Sequence, residues 1–299
     1  MPIPESQLDI WAHQGSIQQS STTYQTIANM LNDPRAPYHG RDYSVFLQGS
    51  YCNDTNIYAE SDVDIVIQLN ESFFKDLSLL PPADQAPYQG AAEPASYGYA
   101  QFQSEVSAHL FSAFGAAASR GNKALKLAAT NSRRAADIVI ATTFRRYYRF
   151  RTLFDQYFEE GICFWTKDGV RIVNYPRQHA DNCIAKQART GAWFKPVVRI
   201  FKNLRNAMIA DRYLAADTAP SYFVESMFHN VPDHLFGRSY ADSVTASIAW
   251  LTTADASALL CANGQYYLLC EGGAVTWREA KFRAFLDAAA RYWNDWYRI

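Results

Sequence analysis

Asp62 and Asp64 open an alternating apolar run in which Val63, Ile65, Ile67 and Leu69 are the other set of positions. A strand turns successive side chains to opposite faces, so the two carboxylates leave one face together while the aliphatic residues line the other. Paired carboxylates suit a hard divalent cation, which takes oxygen ligands from protein acids and substrate phosphates. Just upstream, Gly49-Ser50 is the kind of turn that brings backbone N–H groups up to a phosphate. Metal and nucleoside triphosphate are therefore the chemistry these residues suggest. A third acid, Asp137, opens a second alternating run of the same kind, ADIVIAT.

The elements that position these groups follow from periodicity. Residues 43–48 and 62–69 are β-branched or aromatic and alternate, giving a strand pair joined through Gly49-Ser50. A helix is expected over 15–32, stopped by Asn32-Asp33-Pro34, and another over 99–114. Residues 81–98, rich in Pro, Ala and Gly without periodicity, read as a surface loop. Two short strands follow near 124–128 and 135–142. From about residue 190 the period becomes helical, near 193–213, 220–230, 239–253 and 276–296. The expectation is an α+β fold. Residues 1–165 form a mixed α/β core lobe with a bridging first helix, and residues 166–299 form a helical lobe that completes the nucleotide pocket.

The bulk composition limits the partners. The chain has 299 residues, 48% of them hydrophobic, and 28 basic against 29 acidic residues. With net charge −1 there is no global field to hold a long polyanion. The Arg145-Arg146-Tyr147-Tyr148-Arg149-Phe150-Arg151 cluster is therefore read as a strand entering an exposed loop rather than a nucleic-acid track. The five cysteines are scattered, with no C-x-x-C pair, and read as reduced thiols. No apolar stretch approaches the roughly 18 residues needed to span a bilayer, and the N-terminus lacks a signal-like run. A cytoplasmic monomer is expected.

Gly49-Ser50, Asp62-x-Asp64 and Asp137 together resemble the polymerase-β-like nucleotidyltransferase superfamily. The second half narrows the resemblance. Asn174-Tyr175-Pro176 with His179, the stretch Phe194-Lys195 through Arg199 to Lys202-Asn203, Pro220-Ser221-Tyr222-Phe223-Val224-Glu225, Val231-Pro232-Asp233 and Asn263-Gly264-Gln265 are similar to the bacterial cGAS/DncV-like nucleotidyltransferases, clade E, of anti-phage CBASS systems. The resemblance implies that Asp62, Asp64 and Asp137 bind two Mg²⁺, with Mn²⁺ as the alternative ion, and that Asp137 helps activate the acceptor hydroxyl. In-line displacement at an α-phosphorus fits two such metals. It also implies that Gln48, Gly49 and Ser50 cradle the triphosphate, that Lys202 and Ser221 contact it, and that Tyr222 stacks on the donor base. An Asn at position 174 resembles the uracil-preferring members, so UTP is the favoured substrate, with ATP as the second candidate.

Each of these residues also has a plainer reading. Lys195, Arg199 and Lys202 at i, i+4 and i+7 match the solvated face of an amphipathic helix. Ser221 matches a helix cap, Asn174 a turn residue bonding its own backbone, and His179 a loop-ordering residue. The expected activity is synthesis of a uridine-containing cyclic dinucleotide that signals to a downstream effector. The rivals are a template-independent transferase making linear products and a nucleotide-binding sensor without turnover.

Overall fold

The computed structural model describes residues 2–15, 17–58 and 62–298, so Ser61 and the C-terminal Ile299 lie outside the described residues. In chain order the elements are α1 (Glu5–Ala12), α2 (Gln18–Leu31), β1 (Tyr43–Gln48), α3 (Gly49–Cys52), β2 (Val63–Asp76), α4 (Pro82–Ala91), α5 (Tyr99–Phe114), β3 (Ala118–Arg120), β4 (Leu125–Leu127), β5 (Ala136–Thr152), β6 (Asp155–Trp165), β7 (Arg171–Asn174), α6 (Pro176–Arg189), α7 (Phe194–Ala210), α8 (Ser221–Asn230), α9 (Tyr240–Thr253) and α10 (Glu279–Asp295). They form two compact units. One comprises residues 18–47 and 62–175; the other comprises residues 1–17, 48–61 and 176–299. The boundary expected at 165/166 put residues 1–17 and 48–61 with the sheet, whereas by contact density they group with the helical half.

The first unit is built on one mixed sheet with the strand path β1-β2-β5-β4-β3, from which β6 and then β7 branch off β5. Val63, Ile65, Ile67 and Leu69 are fully buried on one face. They share a core with Ala136, Ile138 and Ile140 of β5 and with two helices, α2 through Ile27 and Leu31, and α5 through Phe102, Val106 and Leu110. The i, i+4, i+8 spacing on α5 puts its three large residues on one stripe, and each fully buried side chain of this size contributes roughly 1.5–3 kcal/mol. β2 and β5 run parallel with Asp64 opposite Asp137. A parallel pair requires a long crossover connection, supplied here by the segment carrying α4, α5, β3 and β4.

β5 changes partners along one edge. β4 pairs with Ala136, Asp137 and Ile138, and β6 takes over from Thr142 onward to Thr152. Residues 139–141 therefore border a gap in that edge. The 81–98 segment is a correction to the sequence reading, because α4 forms there despite an internal Pro87. Proline removes one helical hydrogen bond, but Tyr88 is buried with its ring 5.0 Å from Tyr147 and 5.1 Å from Phe150. Tertiary packing overrides local propensity at that position.

In the second unit α7 is the central helix. Phe194, Val197, Val198, Phe201, Leu204 and Met208 are all fully buried, alongside residues of α8, α9 and α10. α1 joins this unit through the buried Leu8 and Ala12. Glu5 accepts from the Tyr240 and Ala241 N–H groups at 2.6 and 2.9 Å, placing its negative charge at the start of α9. Among the described residues, no helix is long and apolar enough to cross a membrane.

Candidate active site

In the sheet unit the parallel register brings the acids together. Asp64 sits directly opposite Asp137 on the neighbouring strand, so their side chains leave the same face. Asp62, exposed and just ahead of β2, lies close enough for its charge to raise the Asp137 pKa. Burial is the largest cause of that upward shift, and Lys126 opposes it. Lys126 on β4 lies opposite Asp137 in the antiparallel register, with Nζ 3.8 Å from Oδ2. The sheet therefore presents a row of carboxylate, carboxylate and ammonium across β2, β5 and β4. Sequence reasoning missed Lys126, because a single alternating lysine in a three-residue strand carries no signal of its own.

Asn174 ends β7. Its Oδ1 accepts from the Tyr175 N–H at 2.9 Å, which is the own-backbone bond of the turn reading.

The other predicted residues belong to the helical unit. Gln48 leads into α3, and Gly49 opens it with φ of +70°, a left-handed conformation that a side chain would strain. Ser50 follows, and its carbonyl accepts from the Thr55 N–H at 2.9 Å, closing the turn after α3. This turn is anchored from below by Glu225 of α8, which is only 2% exposed. The Glu225 carboxylate accepts from Thr55 Oγ1, from Asn53 Nδ2 at 2.8 Å, from His179 Nε2 at 2.8 Å and from Lys202 Nζ at 2.9 Å. Burial pushes the Glu225 pKa up, but Lys202 and the bonds from His179 and Thr55 outweigh it and hold the carboxyl well below its ordinary value.

Lys202, expected at a triphosphate, is thus fully buried, with its ammonium donating to Glu225 and to Thr55. The i, i+4, i+7 basic stripe is not a solvated face. Lys195 is 7% exposed and donates to Asp54 at 2.8 Å. The Arg199 guanidinium donates to the Ala12 and Asp54 carbonyls. All three cations are turned onto the 49–55 segment or α1, which a charge pattern alone does not distinguish from solvent exposure.

Ser221 is the first residue of α8, after Pro220 at the N-cap position, and its Oγ accepts from Arg205 Nη1 at 3.1 Å. The Tyr222 ring stacks on His179 at 5.0 Å, and its hydroxyl accepts from Asn263 Nδ2 at 3.0 Å. His179, expected to order a loop, lies instead on α6 and is 4% exposed. Asn182 and Lys186 on the same helix are also tied down, to Ala262 O and to Asp233.

Two groups of side chains compare as metal sites. His179, Cys183 and Glu225 place ligand atoms within 4.8 Å of one another. That set is buried, contains a soft sulfur, and has the Lys202 ammonium already paired with its one carboxylate, so it does not fit a hard cation. Asp62, Asp64 and Asp137 offer only oxygens. Burial is the main cause of the upward shift at Asp137, Lys126 opposes it and the Asp62 charge adds to it, so a second carboxylate bears on Asp137. These three acids fit a hard divalent cation.

Residues 181–294 match the family model described as the cGAS/DncV-like nucleotidyltransferase C-terminal helical domain. A relative from Rhodothermus marinus named cyclic UMP-AMP synthase is 39% identical over 298 residues, covering 99% of each chain. The chain belongs to the CdnE group of cGAS/DncV-like nucleotidyltransferases. A CdnE-type relative from Staphylococcus haemolyticus, cyclic nucleotide synthase CdnE01, is 33% identical over 99% of this chain and 100% of its own. The solved structure of Rhodothermus marinus CdnE c-UMP-AMP synthase with Apcpp and Upnpp superposes with a TM-score of 0.88 at 37% identity, covering 99% of this chain and 98% of that one. The expected fold class, a mixed-sheet nucleotidyltransferase core with a helical C-terminal domain, is the one observed, and the protein is a nucleotidyltransferase.

Proposed function

We propose that this CdnE-type enzyme condenses two nucleoside triphosphates, at least one of them UTP, into a uridine-containing cyclic dinucleotide. The register that sets Asp64 beside Asp137, with the Asp62 charge acting on Asp137, carries the reading. Similarity over the whole length to a protein named cyclic UMP-AMP synthase, whose structure is described with Apcpp and Upnpp, supports the substrate class. Asp62, Asp64 and Asp137 would hold two Mg²⁺, or Mn²⁺ in their place, which when bound polarise the attacking and leaving oxygens of an in-line displacement.

The chain's own groups divide the remaining work. Asp137, opposite Asp64 in the parallel register, helps activate the acceptor 3′ hydroxyl, which attacks the α-phosphorus and releases pyrophosphate. Gln48, Gly49 and Ser50 cradle the triphosphate, with the left-handed Gly49 leaving the backbone open to a close approach. Ser221 adds a hydroxyl to the triphosphate. Lys202 acts on that triphosphate indirectly, by fixing Glu225 and through it Asn53 and Thr55 behind the Gly-Ser turn. Tyr222 stacks on the donor base, with His179 backing its other side. Asn174 reads uracil through its amide, and its bond to the Tyr175 N–H fixes the side chain while leaving the NH₂ to donate. The linear intermediate then turns over, and the same three acids serve ring closure. The product serves as a second messenger to an effector in anti-phage defence, made by a cytoplasmic monomer.

Incubation with Mg²⁺ and labelled triphosphates tests this reading. A phosphatase-resistant product, formed fastest when UTP is present and abolished by Asp62→Ala with Asp64→Ala, is expected. A ladder of linear oligomers would sink the cyclase assignment, and nucleotide binding without turnover would leave the sensor.

A further inference from the structure

The gap where β5 changes partner opens on the sheet face opposite the carboxylates, because Ile138 and Ile140 point away from Asp137 and border it. α5 covers one side of the gap, the β3–β4 turn a second, and the end of β6 a third. Together they enclose an open-sided recess of about 110 Å³. This has room for a phosphoryl group or a pyrophosphate.

Donors dominate its lining. Arg120 and Lys123 flank the β3–β4 turn, and Lys167 follows β6. No carboxylate pairs with any of the three among the described residues, although Arg120 lies over the Phe111 ring at 5.6 Å, whereas most other cations of this unit have one: Arg35, Arg41, Lys126, Arg145, Arg146, Arg149 and Arg151. From α5, Ser107 lines the recess although it is only 6% exposed. Its hydroxyl has no hydrogen-bond partner among the described residues, not even the carbonyl one turn back that Thr22, Thr23 and Thr26 use on α2. No acidic side chain contributes to the lining.

The rim is also rigid. The Gly121 N–H donates to Ala124 O at 2.9 Å, and a Cβ at Gly121 would meet that same oxygen at 2.8 Å, so the turn carrying Arg120 and Lys123 stays tight. The Lys167 N–H donates to Asn122 O at 2.8 Å, tying the third cation to the same turn. Trp165 closes the inner wall, with its ring 5.0 Å from Tyr99, whose hydroxyl donates to Ile140 O in the gap itself.

From these features we infer a second anion site in the sheet unit. It is separate from the carboxylate face and takes a pyrophosphate-like group through Ser107, Arg120, Lys123 and Lys167. Three cations without a carboxylate partner and a hydroxyl around a phosphoryl-sized recess supply the charge-assisted hydrogen bonds that such an anion requires. The group has two chemical sources, free pyrophosphate or the phosphate tail of a nucleotide whose base stays outside.

Calorimetric titration with pyrophosphate, in chelator and with the Asp62→Ala/Asp64→Ala protein, removes metal-dependent binding at the carboxylates from the measurement. One saturable site is expected, with the same affinity in this background and in the parent protein. Lys123→Ala with Lys167→Ala should weaken it at least tenfold, and Ser107→Ala several-fold, at unchanged melting temperature. Both lysines are exposed, so folding of that variant is not in question. Displacement of pyrophosphate by ATP assigns the site to nucleotide tails, and failure of ATP to displace it assigns the site to the free anion; either supports the inference. Absence of saturable binding, binding indifferent to the lysine pair, or binding only of a single-stranded RNA oligonucleotide would overturn it. None of these results bears on cyclisation, so the two readings stand or fall separately.

Discussion

Replacing Glu225 by Gln is expected to destabilise the helical unit far more than its small change in shape suggests. The carboxylate is 2% exposed and receives four hydrogen bonds, one of them from Lys202, which is itself fully buried. The amide keeps the volume and one acceptor oxygen, but its NH₂ now opposes donors, and the ammonium loses its counter-charge. Removing one partner of a buried ion pair costs about 3–5 kcal/mol. In a protein of this size that lowers the melting midpoint by about 10 °C. Thermal and urea unfolding of Glu225→Gln, Lys202→Met and the double substitution measure it. The double should recover more than half of the Glu225→Gln loss, because two charges leave the interior together. Glu225→Gln within about 1 kcal/mol of the parent, or a double no better than the single, would refute the reasoning. The pH dependence has a definite sign. Burial opposes ionisation, but Lys202, His179 and Thr55 hold the folded carboxyl below its ordinary pKa. Its contribution is therefore complete above the ordinary carboxyl range and fades as pH falls below it, and Glu225→Gln should flatten that acid limb.

Asn174→Ser should shift substrate use towards ATP, read as the ratio of products in an equimolar UTP and ATP competition; an unchanged ratio removes Asn174 from base choice. Gly49→Ala should cost about 1–2 kcal/mol of backbone strain at φ +70° and lower the turnover rate, checked by unfolding and by steady-state kinetics. His229 has its pKa depressed to about 4 by burial first and then by Lys186 and other cations. The unfolded chain therefore binds more protons than the folded one between about pH 6.5 and 4, and stability should fall as the pH drops through that window. His229→Gln should remove up to about 3 kcal/mol of that fall, seen in urea midpoints taken across the range.

The sheet half was legible where one face is buried and the other carries acids. Alternation around Asp62, Asp64 and Asp137 predicted both strands, and the helix expected over 99–114 lies at Tyr99–Phe114. The long helices after residue 190 were legible for the same reason, since their apolar stripes are wide. What pattern alone missed was long-range. α4 depends on Tyr88 reaching β5, and β5 runs on to Thr152 because Arg145, Arg146 and Arg149 find acids on neighbouring strands or at the hairpin end. α6 has a polar composition with only His179, Cys183 and Lys186 buried, so it lacks an apolar stripe. The burial of Lys195 and Lys202 was equally illegible, because their partners Asp54 and Glu225 are 141 and 23 residues away.

The chain's alternation between its two units bears on how it is made. Residues 1–17 and 48–61 belong to a unit whose remainder is residues 176–299, while the sheet unit is completed by residue 175. During synthesis the sheet can close first, but the Gly49-Ser50 turn and α1 must wait for α7, α8 and α9 to emerge before their burial is possible. Glu5 meets Tyr240 across a separation of 235 residues, and Thr55 meets Glu225 across 170. Such contacts make the helical unit the slow step of folding. No single cut in the chain yields it intact, so a nascent or truncated chain can finish its carboxylate strands yet lack the anchored Gly49-Ser50 turn.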